Sequence, residues 1–346
     1  MTSKPGLGAS SPRVILGMPL YNSAEHLPEA IESLLGQTFR DFRIVCTDDG
    51  TDEQSAEIIN RYQQIDARID YYRNPERLGL TSNWRRCVEV ALSRYPDAEL
   101  FAWVSDHDHW HLLWLETLVA AIDRDPNVVG VFARSAVMGD GRTLNPRSAT
   151  PSLSHVGLYT TRLRLISRRL RAGHSIYGLF RMDTVRRAGI FRDVLYADRL
   201  FLTEASLYGS VEQVDAILYY KRPTGAFSID RQRKSCFPNG VPLYARLPWW
   251  LQHARVLALE LGIRGAGMPR VSRGAGMRVA LLSGIYNGRM VADGHWRWYR
   301  KDRANRIERL PTHVRKGAAE SSCSRLDDLR ARTAAEIVSL RRLAGK

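Results

Sequence analysis

Between residues 13 and 138 the chain alternates short β-rich runs with amphipathic helical patterns, and that alternation leaves few folds open. "RVILGMPLYN" reads as a strand. In the "AEHLPEAIESLLGQ" that follows, Leu27, Ala30, Ile31, Leu34 and Leu35 fall at i, i+3, i+4, i+7 and i+8, one face of a helix. The pairing repeats in "FRIVCTDDG" with "SAEIINRYQQI", in "RIDYYRN" with "SNWRRCVEVALSRY", and in "ELFAWVSD" with "LLWLETLVAAID". Trp84, Cys87, Val88, Ala91 and Leu92 repeat the helical spacing, and "VVGVFARSAVMG" adds a fifth strand. Strands alternating with helices of this length predict an α/β chain: crossover units building a doubly wound, mostly parallel sheet with helices on both faces.

In such sheets ligands bind beyond the carboxyl ends of the strands. Four strand ends carry polar clusters here: Tyr21-Asn22, Asp48-Asp49-Gly50, Arg73-Asn74 and Asp106-His107-Asp108. On an extended segment residues i and i+2 point the same way, so Asp106 and Asp108 can aim two carboxylates at one point. One or two carboxylates, completed by water and phosphate, suit Mg²⁺ or Mn²⁺ bound with a diphosphate. The same aspartates could instead cap the helix beginning near His111, or Asp108 could join His107, His109 and His111 at zinc, although consecutive residues rarely converge on one ion. Asp48 and Asp49 could accept hydrogen bonds from a base or ribose, or simply form an Asx-type turn. No glycine-rich dinucleotide or P-loop motif follows any strand, which argues against a dinucleotide enzyme and a P-loop NTPase.

At 346 residues the chain exceeds one typical domain. Residues 141–170 are rich in Gly, Pro, Ser and Thr and lead into a basic helical pattern, "YTTRLRLISRRLRAG". Residues 1–150 hold 15 Lys/Arg against 21 Asp/Glu, whereas residues 151–346 hold 36 against 15, so the basicity belongs to the second half. Within it, residues 231–346 read as a basic, mainly helical C-terminal extension. The aromatics there form no stacking platform and no nucleic-acid motif appears, which argues against a nucleic-acid partner. "YARLPWWLQHARVLALELGIR" pairs tryptophans and leucines with arginines; it suits peripheral contact with a membrane surface, packing on the first domain, or a homodimer partner. Cys46, Cys87, Cys236 and Cys323 form no CxxC pair and read as reduced thiols. The polar start and the lack of about 18 consecutive apolar residues lead us to expect a cytoplasmic chain, soluble or peripheral at the inner face of the plasma membrane.

With these pieces in order, the sequence resembles the family 2 glycosyltransferases of GT-A fold. The resemblance runs through "GMPLYNSAEHLPEAIESLLGQTFRDFRIVCTDDGTDEQSAEII", "YYRNPERLGLTSNW" and "FAWVSDHDHWHLLWLETLV", about residues 12–135. It implies a catalytic domain over residues 13–230, preceded by a tail at 1–12, with a nucleotide-sugar half at 13–140 and an acceptor half at 141–230. It further implies that Pro19, Tyr21 and Asn22 shape the base pocket, that Asp48 or Asp49 contacts base or ribose, and that Asn74, Gly79 and Asn83 lie nearby. Asp106 and Asp108 match the DxD that binds ribose and metal-diphosphate, with Asp108 the more direct ligand of Mn²⁺ or Mg²⁺; many relatives carry a further acid where this chain has His109. "YADRLFLTEASLYGSV" resembles the segment holding the acceptor-activating base, which points to Asp198, with Glu204 as fallback and Ala197 in place of the usual Glu. His174 could face acceptor or diphosphate, and Lys221 and Arg222 could contact the diphosphate; each also has a purely structural or solvated reading. The implied reaction is inverting transfer from a nucleotide-diphosphate sugar to a hydroxyl of a glycan or lipid-linked acceptor. The alternative is a non-catalytic GT-A-like binding or scaffold subunit.

Overall fold

A computed structural model of the chain describes residues 11–50, 52–138, 163, 172–223, 228–264 and 272–308, with side chains through Asp293. The expected loop and most of the basic helical pattern at 141–171, and Cys323, lie outside the described residues. The chain divides into two compact units, Met1–Asn287 and Gly288–Lys346. The described part of the second unit, residues 288–308, is helical.

The alternating runs form β1 (Val14–Leu20), α1 (Leu27–Leu35), β2 (Phe42–Asp48), α2 (Gln54–Ile65), β3 (Ile69–Arg73), α3 (Leu80–Arg94) and β4 (Leu100–Trp103). After them come β5 (His109–Trp110), α4 (Trp114–Asp123) and β6 (Val128–Val137). Then follow α5 (Ala172–Ser175), β7 (Leu179–Arg181), α6 (Met182–Arg187), α7 (Ala197–Ala205), β8 (Ser210–Lys221) and α8 (Ile229–Cys236). A 3₁₀ turn (Leu243–Arg246), α9 (Trp249–Leu257), a π-helical stretch (Ala258–Ile263) and α10 (Arg273–Glu308) complete the described elements.

The eight strands make one sheet, ordered β3-β2-β1-β4-β7-β6-β8-β5. It is parallel from β3 through β4, as the crossover pattern requires. Beyond β4 it turns mixed: β7 runs antiparallel to both β4 and β6, β8 is parallel to β6, and β5 closes the edge antiparallel to β8. The registers Leu20↔Asp48 and Asp48↔Arg73, with β4 pairing Trp103 to Gly17, bring the carboxyl ends of four strands to one edge.

Both sheet faces are covered, and the period-2 geometry of β1 divides its residues between them. Val14, Leu16 and Met18 join α1 and α4 in one buried cluster, whereas Ile15 joins α3, α6 and α7 in the other. The helical stripes read from the sequence are the ones buried: Leu27, Ala30, Ile31 and Leu34 on α1, and Cys87, Val88 and Ala91 on α3. Val256 and Leu257 of α9 and Val279 and Ala280 of α10 enter the same cluster as Ile15. Gly17 must be glycine, because a Cβ there would stand 2.5 Å from the Phe101 ring. Gln37, fully buried, donates to the carbonyls of Ser33 and His111 and accepts from Leu115 N–H, joining α1 to the start of α4.

Candidate active site

Because β1, β2 and β4 end together, their terminal residues meet helix α3 across a cleft. Pro19, Tyr21, Asp49, Gly79, Asn83 and Asp106 line one cavity of about 250 Å³, together with Arg77, Trp84, Ser105, His107, Tyr177 and Ser235. Six of the expected donor-site residues are therefore brought to one space.

Asp49 organises the floor. Its carboxylate accepts from the backbone N–H groups of Leu78 (2.7 Å) and Gly79 (2.8 Å) and from Asn74 Nδ2 (3.1 Å). A carboxylate is thereby set against the N-terminus of α3, where unpaired N–H groups and the helix dipole favour negative charge. Gly79 has φ +89°, and a Cβ there would stand 2.6 Å from Pro238, so the turn requires glycine. Asn74 also donates to Asn83 Oδ1 (2.9 Å), and buried Asn83 donates to the carbonyls of Leu20 and Thr47. Asn74 is thus a support beneath the cavity rather than part of its lining.

Asp48 and Asn22 also lie outside the lining. Asp48 accepts from Tyr71 Oη (2.7 Å) and Gly50 N–H (2.8 Å), the Asx-type arrangement that its sequence context allowed. Asn22 sits in the left-handed region at φ 50°, beside Gly50. Tyr21 projects into the cleft mouth with the Arg77 guanidinium 4.5 Å from its ring centroid.

The two aspartates of the DxD differ in setting. Asp106 reaches the cavity and accepts from Ser23 Oγ. Asp108 is enclosed: Tyr219 Oη donates to one oxygen at 2.5 Å and Arg222 N–H to the other at 2.8 Å. His107 stands between them, Nδ1 2.6 Å from Asp106 and Nε2 4.0 Å from Asp108. Burial lowers its pKa, but the hydrogen bond and charge of Asp106, with the charge of Asp108, outweigh burial and leave it raised. Arg222 donates through Nε to the His107 carbonyl and pairs with Glu29, so its backbone and side chain brace the DxD loop. Lys221 and Arg222 do not line the cavity.

Among the described residues no group of three or more His, Cys, Asp or Glu could hold a metal ion alone. One carboxylate in the cavity and a second directly behind it fit a hard divalent cation that takes its remaining ligands from a diphosphate and water. They do not fit an all-protein site.

Asp198, the second residue of α7, lies outside the cavity lining, and its charge acts on Tyr177, which does line it. Burial raises the Asp198 pKa, opposed by the Arg199 backbone amide and charge and by Lys221. Tyr196, two residues earlier, is left-handed at φ 53° and packs on Trp249 with ring centroids 5.2 Å apart. Such strained non-glycine residues cost about 1–3 kcal/mol and cluster at functional sites. Glu204 is buried away from the cavity and bonded to Arg192 at 2.9 Å, with burial pushing its carboxyl up to about 7. His174 stands 3.3 Å from Ser135 Oγ.

Sequence reasoning missed Arg77, Trp84, Ser105, Tyr177 and Ser235 as cavity residues. Arg77 sits inside the "YYRNPERLGL" stretch and was within reach; Tyr177 and Ser235 arrive from distant elements and left no local signal.

A parallel half-sheet ending in this acid-lined cleft, continued by a mixed half carrying α7, is the GT-A architecture. The profile of "Glycosyl transferase family 2" matches residues 16–196, and the chain belongs to that family. An uncharacterised glycosyltransferase of Methanocaldococcus jannaschii is 37% identical over 86 residues, 24% of this chain and 30% of that protein. An uncharacterised protein of Mycobacterium tuberculosis is 26% identical over 291 residues, 74% of this chain and 86% of its own length. The match to the M. jannaschii protein thus spans under a third of that relative. Among solved structures, S. aureus TarS 1-349 in complex with UDP-GlcNAc aligns with TM-score 0.54 at 17% identity, covering 78% of this chain and 70% of TarS 1-349. A mannosyltransferase of Pyrobaculum calidifontis, in complex with GDP-Man and Mn²⁺, aligns with TM-score 0.50 at 16% identity over 80% of this chain and 70% of its own.

Proposed function

We propose that the chain transfers a glycosyl group from a nucleotide-diphosphate sugar to a hydroxyl of a glycan or lipid-linked acceptor, with inversion at the anomeric carbon. The observation that carries this reading is the convergence of Pro19, Tyr21, Asp49, Gly79, Asn83 and Asp106 on one cavity, in a chain of family 2. The two structural neighbours named above were solved with ligands of this class.

Tyr21 and the Asp49-Gly79 floor take the base and ribose. Arg77 and His107 of the lining face the diphosphate. Asp106, supported by Asp108, holds Mn²⁺ or Mg²⁺, which when bound supplies positive charge against the leaving diphosphate. Asp198 takes the proton of the acceptor hydroxyl as its oxygen bonds to the anomeric carbon; the bond to the diphosphate oxygen breaks and its electron pair leaves with the nucleotide. A single displacement of this kind inverts the centre without an enzyme nucleophile. A general base contributes typically 10²–10⁴-fold. A pKa raised by burial makes Asp198 a stronger base than a solvated carboxylate.

Thermal stabilisation by UDP, dTDP and GDP, with and without Mn²⁺, tests the donor site. A ligand at a hundredfold excess over Kd adds about 2.7 kcal/mol. We expect one nucleotide to stabilise the protein in a metal-dependent way and Asp106→Asn to abolish the effect. Folded protein indifferent to all three would overturn the reading.

A further inference from the structure

The first turns of α10 carry an apolar face that is largely open, although the Met277 side chain lies over Gly262 of the π-helical stretch. Met277, Leu281 and Ile285 recur every fourth residue and are 48%, 64% and 39% exposed. The opposite face, Val279, Ala280 and Ser283, is buried. Close packing fixes this orientation: Cβ atoms added at Gly276 and Gly284 would meet Leu261 at 2.5 Å and Ala254 at 3.3 Å, so α10 lies against α9 and the π-helical stretch. Apolar residues held outward in this way cannot rotate inward.

Charge indicates what the face meets. Arg273 and Arg278 are exposed beside the apolar stripe and meet no carboxylate among the described residues. From Leu261 to Ala292 the sequence contains five arginines and no Asp or Glu. Along α10 the charged residues nearest the stripe are Arg273, Arg278 and Arg289, with the first carboxylate, Asp293, two turns beyond Ile285; arginines whose stems lie along apolar surface while their heads stay polar complement an anionic lipid surface. No described helix is long and apolar enough to cross a membrane, so the fit is to the interface.

We infer that the Met277-Leu281-Ile285 face of α10 docks on anionic bilayers through a shallow apolar contact flanked by arginine. It deepens the reading of a lipid-linked acceptor but stands on this face alone.

Co-sedimentation of the full chain with phosphatidylglycerol or phosphatidylcholine vesicles tests it. Binding to the anionic vesicles alone is expected. The double change Met277→Glu with Leu281→Glu abolishes it, and Arg273→Gln and Arg278→Gln each weaken partitioning about fivefold. Stabilisation by nucleotide, measured on the same variants, stays unchanged, which separates this face from the donor site. Three results would overturn the inference: folded wild type that ignores anionic vesicles, binding that survives the double change, or light scattering showing that the change converts a dimer to monomer while vesicle binding persists. The last would give the face to a second copy of the chain.

Discussion

His253 donates through Nε2 to the carbonyl of Leu195 at 2.8 Å, the residue immediately before the left-handed Tyr196. Its neighbour Gln252 accepts from the Leu195 N–H at 3.1 Å and donates to the carbonyls of Ala245 and Leu247. Helix α9 thus holds both backbone groups of the residue three positions before Asp198. Replacing Gln252 with Leu strands the buried Leu195 N–H, which costs about 1–3 kcal/mol. We expect kcat to fall more than donor KM rises, as melting and initial-rate measurements would show.

Asp198→Asn should lower kcat by about 10²–10⁴-fold while leaving nucleotide-induced stabilisation intact. In the wild type, kcat/KM should fall with acid on a limb lying above the ordinary Asp value, because burial raises this carboxyl. A limb at or below 3.8 would remove Asp198 from the role.

Two buried groups oppose each other in their pH dependence. Glu204 has its folded pKa raised from 4.5 to about 7, so its contribution is full below 4.5 and drains as pH rises through 7. His253 is lowered by burial from 6.5 to about 4, so its contribution is full above 6.5 and drains as pH falls through 4. Glu204→Gln removes the first of these contributions and leaves the second in place. Stability at pH 7 relative to pH 5 should then rise by about 2 kcal/mol over wild type, read by denaturant melts at both pH values.

Gly79→Ala meets a positive φ and three contacts under 3.0 Å. We expect a loss of about 1–3 kcal/mol of stability and, since the Gly79 N–H is a ligand of Asp49, weaker nucleotide binding by calorimetry.

The parallel half of the sheet was legible because its strands and helices are long enough to show their periods. β5 and β7, of two and three residues, show none, and with them the switch to a mixed sheet was hidden. Strand-end clusters marked the cleft, since β1, β2 and β4 end at one edge. They could not show that Asp49 spends its oxygens on Leu78, Gly79 and Asn74, nor that Asp108 lies behind Asp106. The basic composition after residue 231 describes charge and says nothing about which core Leu257 joins. The hold of α9 on Leu195 is a contact across 57 residues, visible only once folded.

Gln37, within the "SLLGQTF" stretch that helped mark the family, spends both ends of its side-chain amide on backbone groups and meets no cavity. Its presence in a chain attests to a correctly assembled first half, not to turnover. A survey that recognises relatives through this stretch would gather degenerate copies along with working ones. Sorting them calls for residues that face the cleft, such as Asp106 and Arg77.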